Sequence, residues 1–137
     1  MPDVRLCLSA YSECMAQLRV LIVDDVERVR QDLRTFLTLT DDIDVIGEAA
    51  NGWEAVCLVG RLRPRVILMD LEMPVMDGFE ATRRIKALEA GCRIVTLTIH
   101  GGAAERERAL QAGADDFVIK GAPLATLLEA IHKATAV

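Results

Sequence analysis

No CxxC pair, no long apolar run and no excess of basic residues occur in this 137-residue chain. Its four cysteines, Cys7, Cys14, Cys57 and Cys92, stand singly, which argues against a disulfide framework or a zinc site and fits reduced thiols serving mostly as buried filler. No stretch approaches the roughly 18 consecutive apolar residues of a membrane span. A net charge of -5 argues against direct contact with nucleic acid or an anionic membrane, and points to proteins as partners. No signal peptide is expected, because Asp3, Ser9, Ser12 and Glu13 interrupt the apolar patch around Leu6-Cys7-Leu8. Residues 1 to 17 are read as an N-terminal extension of unassigned role, and the chain is expected to be cytoplasmic.

What is there is apolar and regular. A hydrophobic fraction of 52% supports one packed domain over residues 18 to 137. A domain of this length buries roughly two-thirds of the surface its unfolded chain exposes.

Strand-like and helix-like segments alternate five times along the chain. The apolar run from Arg19 to Asp24 reads as a strand, followed by a helix from Val26 to Leu39 with Val26, Val29, Leu33 and Phe36 on one face and Asp25 placed to cap it. Asp44 to Ala50 is a weaker strand whose Gly47 and Glu48 suit a sheet edge, and the helix Trp53 to Leu62 is stopped by Pro64. Val66 to Met69 is continuously apolar, as a central strand covered on both faces should be.

Helix Gly78 to Ala90 follows, with Ala81, Ile85 and Leu88 inward. Then come strand Arg93 to Ile99, the weakly amphipathic helix Ala103 to Ala112, strand Phe117 to Ile119 and helix Pro123 to Ala134. Trp53, Met73 and Met76 read as packing residues, His100 and His132 as surface ones, and Gly101-Gly102 as a hinge or a plain loop.

Five successive strand–helix units with short connections imply an α/β, doubly wound parallel sheet with helices on both faces. Ligands in such folds sit at the carboxyl ends of the strands, where strand order reverses. Asp24, Asp25, Asp70, Thr98 and Lys120 all fall at or just after predicted strand ends and should converge. Three carboxylates in one pocket repel each other, so they protonate or recruit a cation, for which Mg2+ is the natural hard ion.

The strings VLIVDD, VILMDLEMPVMDG, VTLT and GADDFVIK, in this order and spacing, resemble the receiver domain of bacterial response regulators, with its nitrate-response class nearest in style. The resemblance covers about Leu18 to Ala134. It implies a flavodoxin-like sheet of order 2-1-3-4-5. It further implies that Asp70 accepts a phosphoryl group from a sensor histidine kinase or phosphotransfer protein, and that Asp25, Asp70 and the Glu72 carbonyl ligate Mg2+ while Asp24 acts through water. Lys120 would neutralise phosphoryl charge, Thr98 would donate its hydroxyl, and Phe117 would move inward, changing the surface of the fourth helix, fifth strand and fifth helix. The chain would catalyse only its own phosphorylation and dephosphorylation; a target protein or output domain, and a homodimer, are the partners left open.

Two positions depart from the family pattern. Ile99 stands where a small residue is usual and should slow the passage of phosphoryl donor or water, and Gly121 stands where proline is frequent, putting the reach of Lys120 in question. The alternatives are a pseudo-receiver that serves only as an interaction module and an aspartyl-nucleophile phosphatase of the haloacid dehalogenase type. The latter expects a second aspartate two positions after the nucleophile, where this chain has Glu72. Whether the receiver acts alone or within a longer DNA-binding regulator stays open.

Overall fold

A computed structural model describes residues 17–136, so residues 1–16 of the proposed extension, with Cys7 and Cys14, lie outside the described residues. Five strands, β1 (Leu18–Val23), β2 (Ile43–Ala49), β3 (Val66–Asp70), β4 (Arg93–Thr98) and β5 (Asp116–Ile119), alternate with α1 (Glu27–Thr38), α2 (Gly52–Leu62), α3 (Gly78–Leu88), α4 (Ala103–Ala112) and α5 (Leu124–Thr135). The strands are all parallel and run in the order β2-β1-β3-β4-β5, the expected flavodoxin-like arrangement.

Strand alternation sends successive side chains to opposite faces, and both faces are covered. Val20, Ile22, Val66, Leu68, Val95 and Leu97 pack with Leu37 of α1 and Leu127 and Ile131 of α5. Leu21, Val23, Ile67, Met69 and Ile94 pack with Ala55 and Val59 of α2 and Ala81 and Ile85 of α3. β3 is buried at all five positions, which explains its unbroken apolar sequence. β2 is one of the two edge strands, and pairing slips at Ile46, so that Val20 faces Val45 while Leu21 faces Gly47.

Several helix faces differ from those expected. On α1 the inward residue is Leu37, whereas Val26 and Phe36 are each 47% exposed. Leu88, Trp53 and Cys57 are also exposed; among the described residues Cys92 is the buried thiol, with burial pushing it up to about 11. Met73 and Met76 do pack against the core.

Asp25 does not cap α1: the N-cap position is Val26, without a side-chain cap, and just ahead of it Asp24 Oδ1 accepts the Val26 N–H at 2.9 Å, closing an Asx turn. His100 and His132 are exposed as expected, but each has a carboxylate neighbour, Glu72 at 3.6 Å and Asp42 at 2.5 Å. At Gly101 a Cβ would lie 2.5 Å from Ile119 Cδ1, the tip of a half-exposed side chain that is free to rotate away.

Candidate functional site

Strand ends deliver the chemistry to one edge of the sheet. Asp24 follows the last residue of β1, Asp70 ends β3, Thr98 ends β4 and Lys120 follows β5. Asp24 and Asp70 flank the crevice where the connections from β1 and β3 diverge to opposite faces. Lys120 donates its backbone N–H to the Thr98 carbonyl at 2.7 Å, continuing the ladder one residue past β5.

The side chains meet as the sequence predicts. Oxygens of Asp24, Asp25 and Asp70 lie within 4.8 Å of one another. Lys120 Nζ stands 2.7 Å from Asp24 Oδ2 and 3.1 Å from Asp70 Oδ1, so Gly121 has not cost the lysine its reach. Asp25, Asp70, Glu72, Thr98, Ile99 and Lys120 line an open cleft of about 190 Å³. The Glu72 carboxylate points outward to His100, and Ile99 is 63% exposed on the rim.

Electrostatics inside the cleft are strained in one direction. Burial, then the charge of Asp24, pushes the Asp70 carboxyl up to about 6 against the opposing pull of Lys120 and the Glu72 amide. Burial works to lower Lys120, but its contacts with Asp24 and Asp70 outweigh it and raise the ammonium. One cation facing three carboxylates leaves surplus negative charge, and Asp24 Oδ2 is buried without a well-angled hydrogen bond. A set of hard oxygen donors with those two properties fits a divalent hard cation.

Supporting residues went unread in the sequence. Arg30 donates Nη1 to the Asp24 carbonyl at 2.7 Å and Nε to Glu48 at 3.1 Å, fixing the turn that carries both aspartates. The Thr98 hydroxyl lies 3.3 Å from Glu105 Oε2 and accepts the His100 N–H at 3.2 Å. Phe117 is half-buried and packs with Leu71, Phe79, Ala109 and Ala114 under α4. Apart from the Thr98–His100 bond, which spans two residues, spacing along the chain signals none of these contacts, because each links different elements.

The loop after β3 holds the remaining special geometry. Met76 N–H bonds the Pro74 carbonyl at 2.7 Å around Val75, whose φ is 70°: a γ-turn of the rare positive-φ kind. Asp77 then caps α3 by accepting the Glu80 N–H at 2.8 Å.

Comparison with known proteins agrees with this geometry. The profile of the response regulator receiver domain matches residues 20–132. The response regulator protein VraR of Staphylococcus saprophyticus is 40% identical over 116 residues, which is 85% of this chain and 56% of the relative. The chain thus spans about half the length of that relative. The signal receiver domain of the response regulator NarL from Mycobacterium tuberculosis superposes with a TM-score of 0.83 at 30% identity, covering 88% of this chain and 98% of that one. The CheX–CheY–BeF3–Mg2+ complex from Borrelia burgdorferi gives a TM-score of 0.82 at 25% identity, covering 88% and 90%. With its parallel sheet, its acidic strand ends and a profile match across nearly the whole described region, the chain belongs to the response regulator receiver domains of two-component signalling.

Proposed function

We propose that this receiver is a phosphorylation-dependent switch in which Asp70 takes a phosphoryl group from the phosphohistidine of a sensor kinase or phosphotransfer protein. The observation that carries it is the buried Asp70 carboxylate, 3.1 Å from the Lys120 ammonium and within 4.8 Å of the Asp24 and Asp25 oxygens. An Asp70 oxygen attacks phosphorus, the P–N bond breaks, and its electron pair leaves on the imidazole nitrogen, giving an acyl phosphate. Lys120 holds its positive charge against the equatorial oxygens, where phosphoryl transfer needs it most.

Asp25, Asp70 and the Glu72 carbonyl would hold Mg2+, with Asp24 acting through water; the ion supplies charge neutralisation on the phosphoryl oxygens. The Borrelia relative's complex carries both BeF3 and Mg2+, in keeping with this assignment. Catalysis is confined to the chain's own modification. The domain is assigned to residues 18 to 137, and a cytoplasmic location is proposed; among the described residues no helix is long and apolar enough to cross a membrane.

Once formed, the phosphoryl group adds ~1.5 to 2 negative charges and three acceptor oxygens. Thr98 turns its hydroxyl to one of them, and Phe117 packs further inward. The altered surface of α4, β5 and α5 is offered to a target protein, an output domain or a second copy.

Incubation with Mg2+ and a small acyl phosphate, followed by intact mass measurement, tests the function. One added phosphoryl mass on the parent and none on Asp70→Asn is expected. No addition to the parent would favour an interaction module without phosphoryl chemistry.

A further inference from the structure

The Thr98 hydroxyl both donates and accepts a hydrogen bond in this structure. A hydroxyl has one proton to donate. The His100 backbone N–H donates to Oγ1 at 3.2 Å, and among the described residues the hydroxyl proton is directed to the Glu105 carboxylate at 3.3 Å. A carboxylate can only accept, so the direction of the bond is fixed.

Helix α4 has few other side-chain contacts to hold its first turn. Its N-cap, Gly102, offers no side chain, and Ala103 and Ala104 are exposed. The buried residues, Ala109 and Ala112, lie in its second half, where Arg108 also covers the Phe79 ring at 4.0 Å. Among the described residues, Glu105 is the first-turn residue of α4 whose side chain is hydrogen-bonded to the sheet.

Resting on the phosphoacceptor assignment of Asp70, we infer that Glu105 is a latch: it holds the start of α4 to the end of β4 through the Thr98 proton until the phosphoryl group takes that proton. The two acceptors are mutually exclusive, because Thr98 cannot donate to both. Phosphorylation removes the hydrogen bond to Glu105 and brings new negative charge towards that carboxylate. Both effects release the same helical turn, which converts a single hydroxyl rotation into a change on the α4 surface. Glu105 touches no reacting atom and is a positioning residue.

Hydrogen exchange in α4 reads the latch directly. In the unmodified protein, Glu105→Ala should speed exchange of the first hydrogen-bonded amides of α4 by about fivefold, the scale of one lost hydrogen bond. Phosphorylation, verified by mass, should speed these amides in the parent and add little in Glu105→Ala. A first-turn acid also stabilises a helix through its dipole, so the double variant Ala104→Asp with Glu105→Ala restores that charge without the bond to Thr98. It should stay loosened; recovery of parental exchange would overturn the latch.

Parental exchange in unmodified Glu105→Ala, or a full phosphorylation response in that variant, would overturn it equally. Absence of phosphoryl uptake by the parent would instead remove the phosphoacceptor assignment and the exchange of partners with it. Uptake with no difference between parent and variant removes the latch alone.

Discussion

Gly78 sits so close beneath Asp70 that a Cβ at position 78 would lie 2.1 Å from the Asp70 carbonyl oxygen and 2.7 Å from Leu71 Cα. The start of α3 is thereby pressed against the end of β3, and the obstructing atoms are backbone, which cannot rotate away.

Gly78→Ala should therefore destabilise the fold by about 3 kcal/mol and slow phosphorylation of Asp70 at least tenfold by displacing its backbone. Gly60, inside α2 with nothing near its missing Cβ, is the matched control. Gly60→Ala should stabilise by about 1 kcal/mol and leave phosphorylation unchanged. Chemical denaturation and uptake kinetics measure both.

Stability should fall as pH rises through the range in which Asp70 ionises. Its carboxyl is raised in the fold from 3.8 to about 6, so between those values the native state binds more protons than the unfolded one. The contribution of Asp70 is then favourable at low pH and lost as pH climbs from about 4 to 6. In chelator, Asp70→Asn should lack this decline and be more stable than the parent at pH 7. Mg2+ at ten times its dissociation constant should return about 1.4 kcal/mol to the parent. A parent and an Asp70→Asn variant with parallel pH profiles would contradict the buried, charge-crowded setting described.

Val75 places a β-branched, 83% exposed side chain at φ 70° with no burial to offset the strain. Val75→Gly should raise stability by roughly 1 kcal/mol, the relieved strain outweighing the added chain entropy. A thermal unfolding comparison is sufficient, and a lower midpoint for the variant would refute the strain.

Ile99 stands on the rim of the cleft, 63% exposed. Ile99→Ala should change stability by no more than about 0.5 kcal/mol. Phosphoryl uptake or loss should be severalfold faster, and unchanged rates would show that this side chain does not limit access.

Much of this architecture was legible because parallel strands covered on both faces must be apolar throughout, and because the fold gathers strand ends at one edge. Val66 to Asp70 carried both signals within five residues. Helix faces were less legible. Phe36 and Leu37 are adjacent, and the choice between them depends on the angle at which α1 meets the sheet, which periodicity does not encode; Leu37 follows Leu33 by four residues and takes the inner place.

Trp53 and Cys57 were misread for a related reason, since apolar character does not say which side of a short helix faces the core. The expected cap of α1 by Asp25 is absent, because the buried Asp24 carboxylate closes the turn on the Val26 N–H and Asp25 is left open to the cleft. Arg30 and Glu105 act across elements, so no local pattern announces them.

Locating the acyl phosphate decides the central claim. After incubation with Mg2+ and a small acyl phosphate, borohydride reduction of the modified protein and peptide mapping should show reduction at Asp70 and at no other carboxylate. A phosphoryl group found elsewhere, or none found while the protein remains folded, would contradict the account.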